Sequence, residues 1–198
     1  MTHYFEERPD VASDVAIVDV ALPDVAFTMA TDRGVFSHGH VDTGTSLLLR
    51  EAPAPAAAGD LLDLGCGSGA IALALALRAP EAAVWAVDVN VRALELTAAN
   101  AVRNGVTTIH AAAPDDVPEG VRFATIWSNP PIRIGKPALQ RLLLRWLARL
   151  APGGTAVLVV QKHLGADSLQ RWLGEQGHSA ERIASRAGFR LLQIDSPS

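Results

Sequence analysis

At 198 residues, 49% apolar and 19% charged, the chain is long enough for one domain with a proper core and too apolar to be disordered. A net charge of −4 and a pI near 5.8 count against a protein that coats nucleic acid nonspecifically, though not against local phosphate contacts. No apolar run reaches the roughly 18–20 residues of a membrane span, residues 1–7 lack the basic-then-apolar pattern of a secretory leader, and the single cysteine, Cys66, excludes an internal disulfide, so a cytoplasmic location is expected.

Taken in chain order, Val15 to Leu22 and Val25 to Ala30 are rich in valine and alanine and are joined at Pro23-Asp24, which predicts two extended segments and a turn. Asp32-Arg33-Gly34 predicts a further turn, and a helix is expected from Asp42 or Thr43 through Leu47-Leu48-Leu49. Ala52 to Gly59, with two prolines and five alanines, reads as a linker. From Asp60 onward the signals alternate. Strands are expected at Leu61–Leu64, Ala83–Val87, Thr107–His110, Arg122–Trp127 and Thr155–Val160. Helices are expected at Ala70–Arg78, at Val91–Asn104 closed by Gly105, at Pro137–Leu150 followed by Pro152-Gly153-Gly154, and at Ala166–Glu175. Glu181–Ala184 and Phe189–Ile194 predict a closing hairpin around Ala187-Gly188. This alternation implies an α/β fold, a mostly parallel, doubly wound sheet with helices on both faces. Residues 1–50 form an N-terminal β and helix extension packed on a main domain, 51–198, in one structural domain overall. Ligands in such sheets sit beyond the carboxyl ends of the strands.

Two motifs fall at those ends. Asp63-Leu64-Gly65-Cys66-Gly67-Ser68-Gly69 follows a strand and opens a helix, and glycines there let backbone approach a nucleotide closely. The spacing is Gly65-x-Gly67-x-Gly69 rather than G-x-G-x-x-G, a form typical of S-adenosylmethionine sites, where the loop lies beside the amino-acid end of the cofactor. Asp88, at the end of the next strand, stands where a ribose-binding carboxylate is expected, although a helix cap before Val91 would also place an acid there. Cys66 is read as a small residue filling a tight loop, not as a nucleophile. The second motif is Asn129-Pro130-Pro131-Ile132. An exocyclic amine on a purine is a poor nucleophile because its lone pair is delocalised. Acceptors such as the Asn129 amide oxygen and the Pro130 carbonyl can direct that lone pair toward a methyl group. Two prolines stiffen the turn and remove competing amide donors. His38 and His40 lack partners of metal-ligand type, and no metal site is expected. Arg133, Lys136, Arg141, Arg145 and Arg149 cluster after the second motif, either as phosphate contacts or as a solvated helix face with carbonyl capping.

At these residues the chain resembles class I S-adenosylmethionine-dependent methyltransferases, specifically the small-subunit ribosomal RNA guanine-N2 methyltransferase family in its short single-domain form. Thr31 to Ser37 (TDRGVFS) and Val41-Asp42-x-Gly44-Thr45 are similar to the family's segment ahead of the glycine loop, and Asn129 to Lys136 (NPPIRIGK) to its active-site loop. The resemblance runs from about Val25 to Ile194 and implies a seven-stranded sheet whose last strand is antiparallel. It implies that Asp63, Gly65, Cys66, Gly67, Gly69, Asp88, Val89 and Ala112 border S-adenosylmethionine. It further implies that Asn129, Pro130, Pro131 and Ile132 carry catalysis, and that Phe36, Gly44, Arg133 and Lys136 border the substrate, ribosomal RNA or the small ribosomal subunit. The chain departs from the family pattern in three ways: it lacks room for a second domain, has Ile132 where many amino-methylating enzymes stack an aromatic ring, and has no acid within His110-Ala111-Ala112-Ala113 for the adenine amino group, leaving backbone groups or Asp115 and Asp116. A glutamine-amide methyltransferase of proteins, a small-molecule N-methyltransferase and a cofactor-binding assembly protein without turnover stay open as alternatives.

Overall fold

The computed structural model describes residues 11–196, so the expectation about residues 1–7 falls outside it. Two strands, β1 (Ala16–Ala21) and β2 (Ala26–Thr31), pair antiparallel as a hairpin apart from the main sheet. Then follow α1 (Thr43–Glu51), β3 (Asp60–Leu64), α2 (Ala70–Arg78), β4 (Ala83–Val87), α3 (Val91–Arg103), β5 (Ile109–Ala112), β6 (Phe123–Ser128), α4 (Lys136–Leu147), β7 (Leu150–Gln161), α5 (Ala166–Glu175), β8 (Ala180–Arg186) and β9 (Phe189–Asp195). The seven strands of the main sheet are ordered β5-β4-β3-β6-β7-β9-β8, all parallel except β9, which inserts antiparallel between β7 and β8.

Period-two alternation divides the core between the two faces of the sheet. Leu61, Val84, Ala86, Val157 and Val159 pack with α1 and α2 on one face, whereas Leu62, Val87, Leu158, Val160 and Leu192 pack with α4 and α5 on the other. Helix α2 (AIALALALR) is apolar nearly all round, and its residues from Ile71 to Ala76 are buried, as expected for a helix trapped between elements. The N-terminal hairpin is tied on by side chains. Arg78 makes a bidentate pair with Asp24 in its turn, at 2.6 and 2.8 Å, which holds the Asp24 carboxyl below its usual range. Asn100 of α3 and Asn104 at its C-cap take the place of a third strand, each exchanging hydrogen bonds with the backbone of β2 at Ala30 and Thr28.

Two expected boundaries move. The strand expected at Thr107–His110 is Ile109–Ala112, because Gly105 (φ +66°) turns the chain back on α3 and Val106 N–H bonds the Ala101 carbonyl before pairing with β4 begins. The helix expected to Leu150 ends at Leu147, and β7 begins at Leu150, so Pro152-Gly153-Gly154 lies inside the strand. Leu150 pairs with Phe123 and Thr155 with Thr125, so the intervening residues bulge, with Gly153 at φ +72°. A Cβ on Gly154 would stand 2.7 Å from the Phe123 carbonyl, which is why a glycine occupies that position.

Candidate active site

Strand order decides which residues can meet. β4, β3, β6 and β7 end in the same direction, and β9, running the other way, begins there. Asp88, Gly65, Asn129, Gln161 and Phe189 therefore open on one cavity of about 510 Å³, within the range of small-molecule sites. Along this row the cavity has a β3–β4 end and a β7–β9 end, with the Asn129 turn between them.

At the β3–β4 end, Gly65 and Gly67 are both left-handed (φ +78° and +54°) and line the cavity. A Cβ on Gly67 would meet Phe36 Cβ and Val35 Cγ1 at 3.8 and 3.9 Å, and one on Gly65 would meet Pro131 Cδ at 3.9 Å, so side chains there would narrow the space above the loop. Asp88 accepts from Gly67 N–H and Asn90 N–H, one per carboxylate oxygen, both at 3.0 Å. The helix-capping role belongs to Asn90, whose side chain accepts from Arg92 and Ala93 N–H. Asp88 lines the cavity, and burial raises its pKa above the ordinary carboxylate value. Val89 lines the cavity beside it. The residues present fit a nucleoside-bearing cofactor: an open glycine cradle, a carboxylate at the adjacent strand end and an apolar wall.

Several of the residues expected to border the cofactor do not line this cavity. Asp63 is fully buried behind the loop, where Oδ2 accepts from Ala72 N–H at 2.9 Å and Oδ1 has no partner among the described residues; burial, followed by the nearby Asp88, raises its pKa to about 8. Cys66 is buried, with burial raising its thiol pKa, and it receives a hydrogen bond from Thr97. Gly69 begins α2 so close to Thr97 that a Cβ would stand 2.9 Å from its side chain. Neither Asp63 nor Gly69 borders the cavity, and Cys66 borders only a small adjoining recess. Ala112 is likewise off the wall, its carbonyl accepting from Asp88 N–H, and Pro114 is the neighbour that reaches it. Asp115 is drawn away to Arg145 at 2.8 Å, and Asp116 is exposed.

In the middle, Asn129 Nδ2 donates to Asp42 Oδ2 at 2.9 Å and to Thr45 Oγ1 at 3.0 Å. Both amide hydrogens are committed, so the amide cannot flip without losing two bonds, and Oδ1 accepts from none of the described residues. Asp42 is itself fixed as the N-cap of α1, accepting from Gly44 and Thr45 N–H. Neither Asp42 nor Thr45 was singled out from the sequence as a partner of Asn129. The only signal was their place in the Val41-Asp42-x-Gly44-Thr45 segment, because their contact with Asn129 spans more than 80 residues of chain. Pro130 differs from expectation: Ile132 N–H donates to its carbonyl at 2.8 Å across Pro131 (φ −73°, ψ 76°), an inverse γ-turn. The turn therefore contains one competing amide donor, and the Pro130 carbonyl offers one remaining lone pair rather than two. Pro131, Ile132 and Arg133 line the cavity, with Arg133 exposed at its rim, while Lys136 lies off the wall at the start of α4.

At the β7–β9 end stand Gln161, Leu164 and Phe189, residues the sequence did not single out. Gly44 lies beneath Phe189 rather than on the cavity wall: a Cβ there would meet Phe189 Cε1 at 2.8 Å. Phe36 and His40 face the cavity from the opposite segment. His38 instead bonds the Asp14 carbonyl at 2.6 Å. Of the basic cluster, Arg145 and Arg149 are committed to carbonyls of 114, 118 and 121 and to the rings of Trp146 and Phe123, whereas Arg133, Lys136 and Arg141 are exposed.

Comparison with known proteins gives a consistent family. The model of the methyltransferase small domain matches residues 26–193. The chain is 34% identical to the uncharacterized protein YbxB of Bacillus subtilis, covering 96% of each. It is 35% identical to ribosomal RNA small subunit methyltransferase C of Pseudomonas aeruginosa over 93% of its own length and 55% of that protein, so it spans about half of that relative. Among solved structures it is similar to the 16S rRNA N2 methyltransferase RsmC of T. Thermophilus in complex with AdoMet and guanosine (TM-score 0.74, 25% identity, 96% of this chain and 52% of that one). A methyltransferase from Pyrococcus furiosus, at 22% identity and TM-score 0.64, shares the fold over 82% of this chain and 89% of that one. The chain belongs to the methyltransferase small-domain family of S-adenosylmethionine-dependent enzymes.

Proposed function

We propose that the protein methylates an exocyclic amino nitrogen, guanine N2 of small-subunit ribosomal RNA, and that the orientation of Asn129 is the observation that carries this reading. With Nδ2 held by Asp42 and Thr45, Oδ1 is the atom left to meet an incoming NH₂ group. A carboxamide oxygen in that place accepts one amino hydrogen, and the Pro130 carbonyl, through its remaining lone pair, accepts the other. Those two bonds draw the nitrogen toward a pyramidal shape and aim its lone pair into the β3–β4 end of the cavity. When bound, S-adenosylmethionine supplies an electrophilic methyl group on a sulfonium and leaves as a neutral thioether. The chain's own contribution is placement. Gly65 and Gly67 leave room for the cofactor, Asp88 accepts from its ribose, and the proline turn sets nitrogen and methyl in line. The nitrogen gains a bond to carbon and gives up one proton to water, a step that needs no strong base.

Relatives named as ribosomal RNA methyltransferases, and a neighbour holding AdoMet together with guanosine, support the choice of acceptor. Exposed Arg133 at the cavity rim, with exposed Lys136 and Arg141 following it in the chain, suits phosphate contact. The test is transfer of radiolabelled methyl to naked 16S rRNA, isolated small subunits, release factors and extract metabolites in parallel. Label in RNA, recovered as N2-methylguanosine, is expected; label confined to protein or small molecules would overturn the assignment.

A further inference from the structure

We infer that Phe189 and Gln161 form the seat of the acceptor base, Phe189 supplying the flat apolar face that Ile132 does not and Gln161 reading the base edge. The inference rests on the proposed amino-methylating function and names how that site selects its substrate. The two residues are directly opposed in the antiparallel β7–β9 pair, so their side chains share one face. Both line the cavity, and they do so past Asn129 on the side away from Asp88. The other aromatic of the wall, Phe36, belongs to the opposite end, since its Cβ lies against the space above Gly67.

Phe189 is held in place. A Cβ on Gly44 would stand 2.8 Å from Cε1 and 3.0 Å from Cδ1, so the ring edge lies against the backbone at the start of α1. That same turn carries Asp42 and Thr45, the residues that hold the Asn129 amide, and Asp42 Oδ2 lies 2.9 Å from the same Gly44 Cβ position. The ring and the amide clamp are thus registered on one short segment. No hydrogen bond within the protein engages the Gln161 carboxamide among the described residues, and it projects beside the ring at the cavity wall. A planar heterocycle uses both features. A glutamine side chain of a protein substrate has no extended π face to place on Phe189, so the arrangement favours a nucleobase over a protein amide.

The test separates this inference from the rRNA assignment by reading base binding without turnover. Guanosine and N-acetylglutaminamide are titrated by NMR into protein saturated with S-adenosylhomocysteine, for the natural chain, Phe189→Leu, Phe189→Trp and Gln161→Leu. Guanosine is expected to bind with intermolecular contacts to the Phe189 ring protons, and N-acetylglutaminamide to bind far more weakly. Phe189→Leu is expected to weaken guanosine by about 5- to 150-fold, the loss of one base–aromatic stack. Phe189→Trp should restore binding, and Gln161→Leu should weaken guanosine and inosine alike, because both present the same O6 and N1–H edge and the amino group that only guanosine has is met by Asn129 and Pro130. S-adenosylhomocysteine affinity should be unchanged in all three. Guanosine binding that is undetectable in the natural chain, or equal in Phe189→Leu, overturns the inference even where rRNA is methylated. Ring-dependent guanosine binding with no label in rRNA would instead overturn the RNA assignment and leave the base seat standing.

Discussion

The two ends of the cavity are built from different materials. At the β3–β4 end the wall is built on backbone, with two left-handed glycines and one carboxylate in a stretch from Gly65 to Asp88 and apolar side chains such as Phe36 and Val89 beside them. At the Asn129 and β7–β9 end it is side chains gathered from four places, Asp42 at the start of α1, Asn129, Gln161 and Phe189, with Thr45 holding Asn129 from behind. Backbone recognition suits a cofactor that never varies. A side-chain site can be retuned for another acceptor while the cofactor end stays as it is, so mutations at the two ends should separate cleanly into cofactor affinity and acceptor turnover.

The strongest way to break that separation is Asn129→Ala. Losing the oriented acceptor at the reacting nitrogen should lower kcat by about 10²- to 10³-fold, the scale of removing one preorganised polar group from a reacting centre. Calorimetry should show S-adenosylmethionine affinity unchanged. A variant that loses both together would mean that the Asn129 turn also holds the cofactor, and the two-ended description would fail.

The β3–β4 end carries a pH signature of its own. Asp63 has a folded pKa of about 8 against an ordinary carboxylate value near 4, because burial disfavours its charge. Between those values the unfolded chain has released the proton and the folded chain keeps it. The contribution is therefore fully present below about pH 4 and is lost as pH rises through about 8, with a slope of up to about 1.4 kcal/mol per pH unit. Asp63→Asn imitates the protonated acid and still accepts from Ala72 N–H, so it should flatten this part of the stability profile in urea titrations. Parallel profiles for the two proteins would show that Asp63 is ionised in the native state.

Asp88→Ala should weaken S-adenosylmethionine by about 1–3 kcal/mol, the range for hydrogen bonds to a charged group, with kcat at saturating cofactor largely preserved. Asp88→Asn is the control, since its single carboxamide oxygen can retain only one of the two backbone N–H bonds that hold the Gly67 loop. If both variants bind cofactor as the natural chain does, the ribose assignment is wrong.

The same contrast explains what the sequence disclosed. Strand–helix alternation placed α2, β4 and α5 at their observed limits, and the glycine spacing pointed to the β3–β4 end of the cavity, because both signals are local. Asn129 was found because its prolines are conspicuous. Its holders Asp42 and Thr45, and the base seat at Gln161 and Phe189, were not, since they meet only through the sheet order and a β9 strand that reverses direction. The resemblance pointed to Gly44 as a border of the substrate, and the structure places it under Phe189 rather than on the wall. The motif position of Asp63 is local and plain, yet its side chain is buried behind the loop, accepts from Ala72 N–H of α2 and does not line the cavity.

Thr45→Val is the smallest change that tests whether the acceptor end works by orientation. Valine keeps the branched shape in a buried position and removes only the oxygen that accepts from Asn129 at 3.0 Å. Asp42 still holds the amide by its other hydrogen, so Asn129 is loosened rather than lost. One net hydrogen bond of about 0.5–1.5 kcal/mol corresponds to roughly 2- to 12-fold in kcat. The loss should fall on kcat and not on the KM for S-adenosylmethionine. Thr45→Ser restores the acceptor oxygen and should restore the rate, which a mere packing defect would not do, because serine leaves a larger void than valine. Equal rates in the valine variant and the natural chain would mean that Asp42 alone orients Asn129, narrowing the clamp to a single carboxylate.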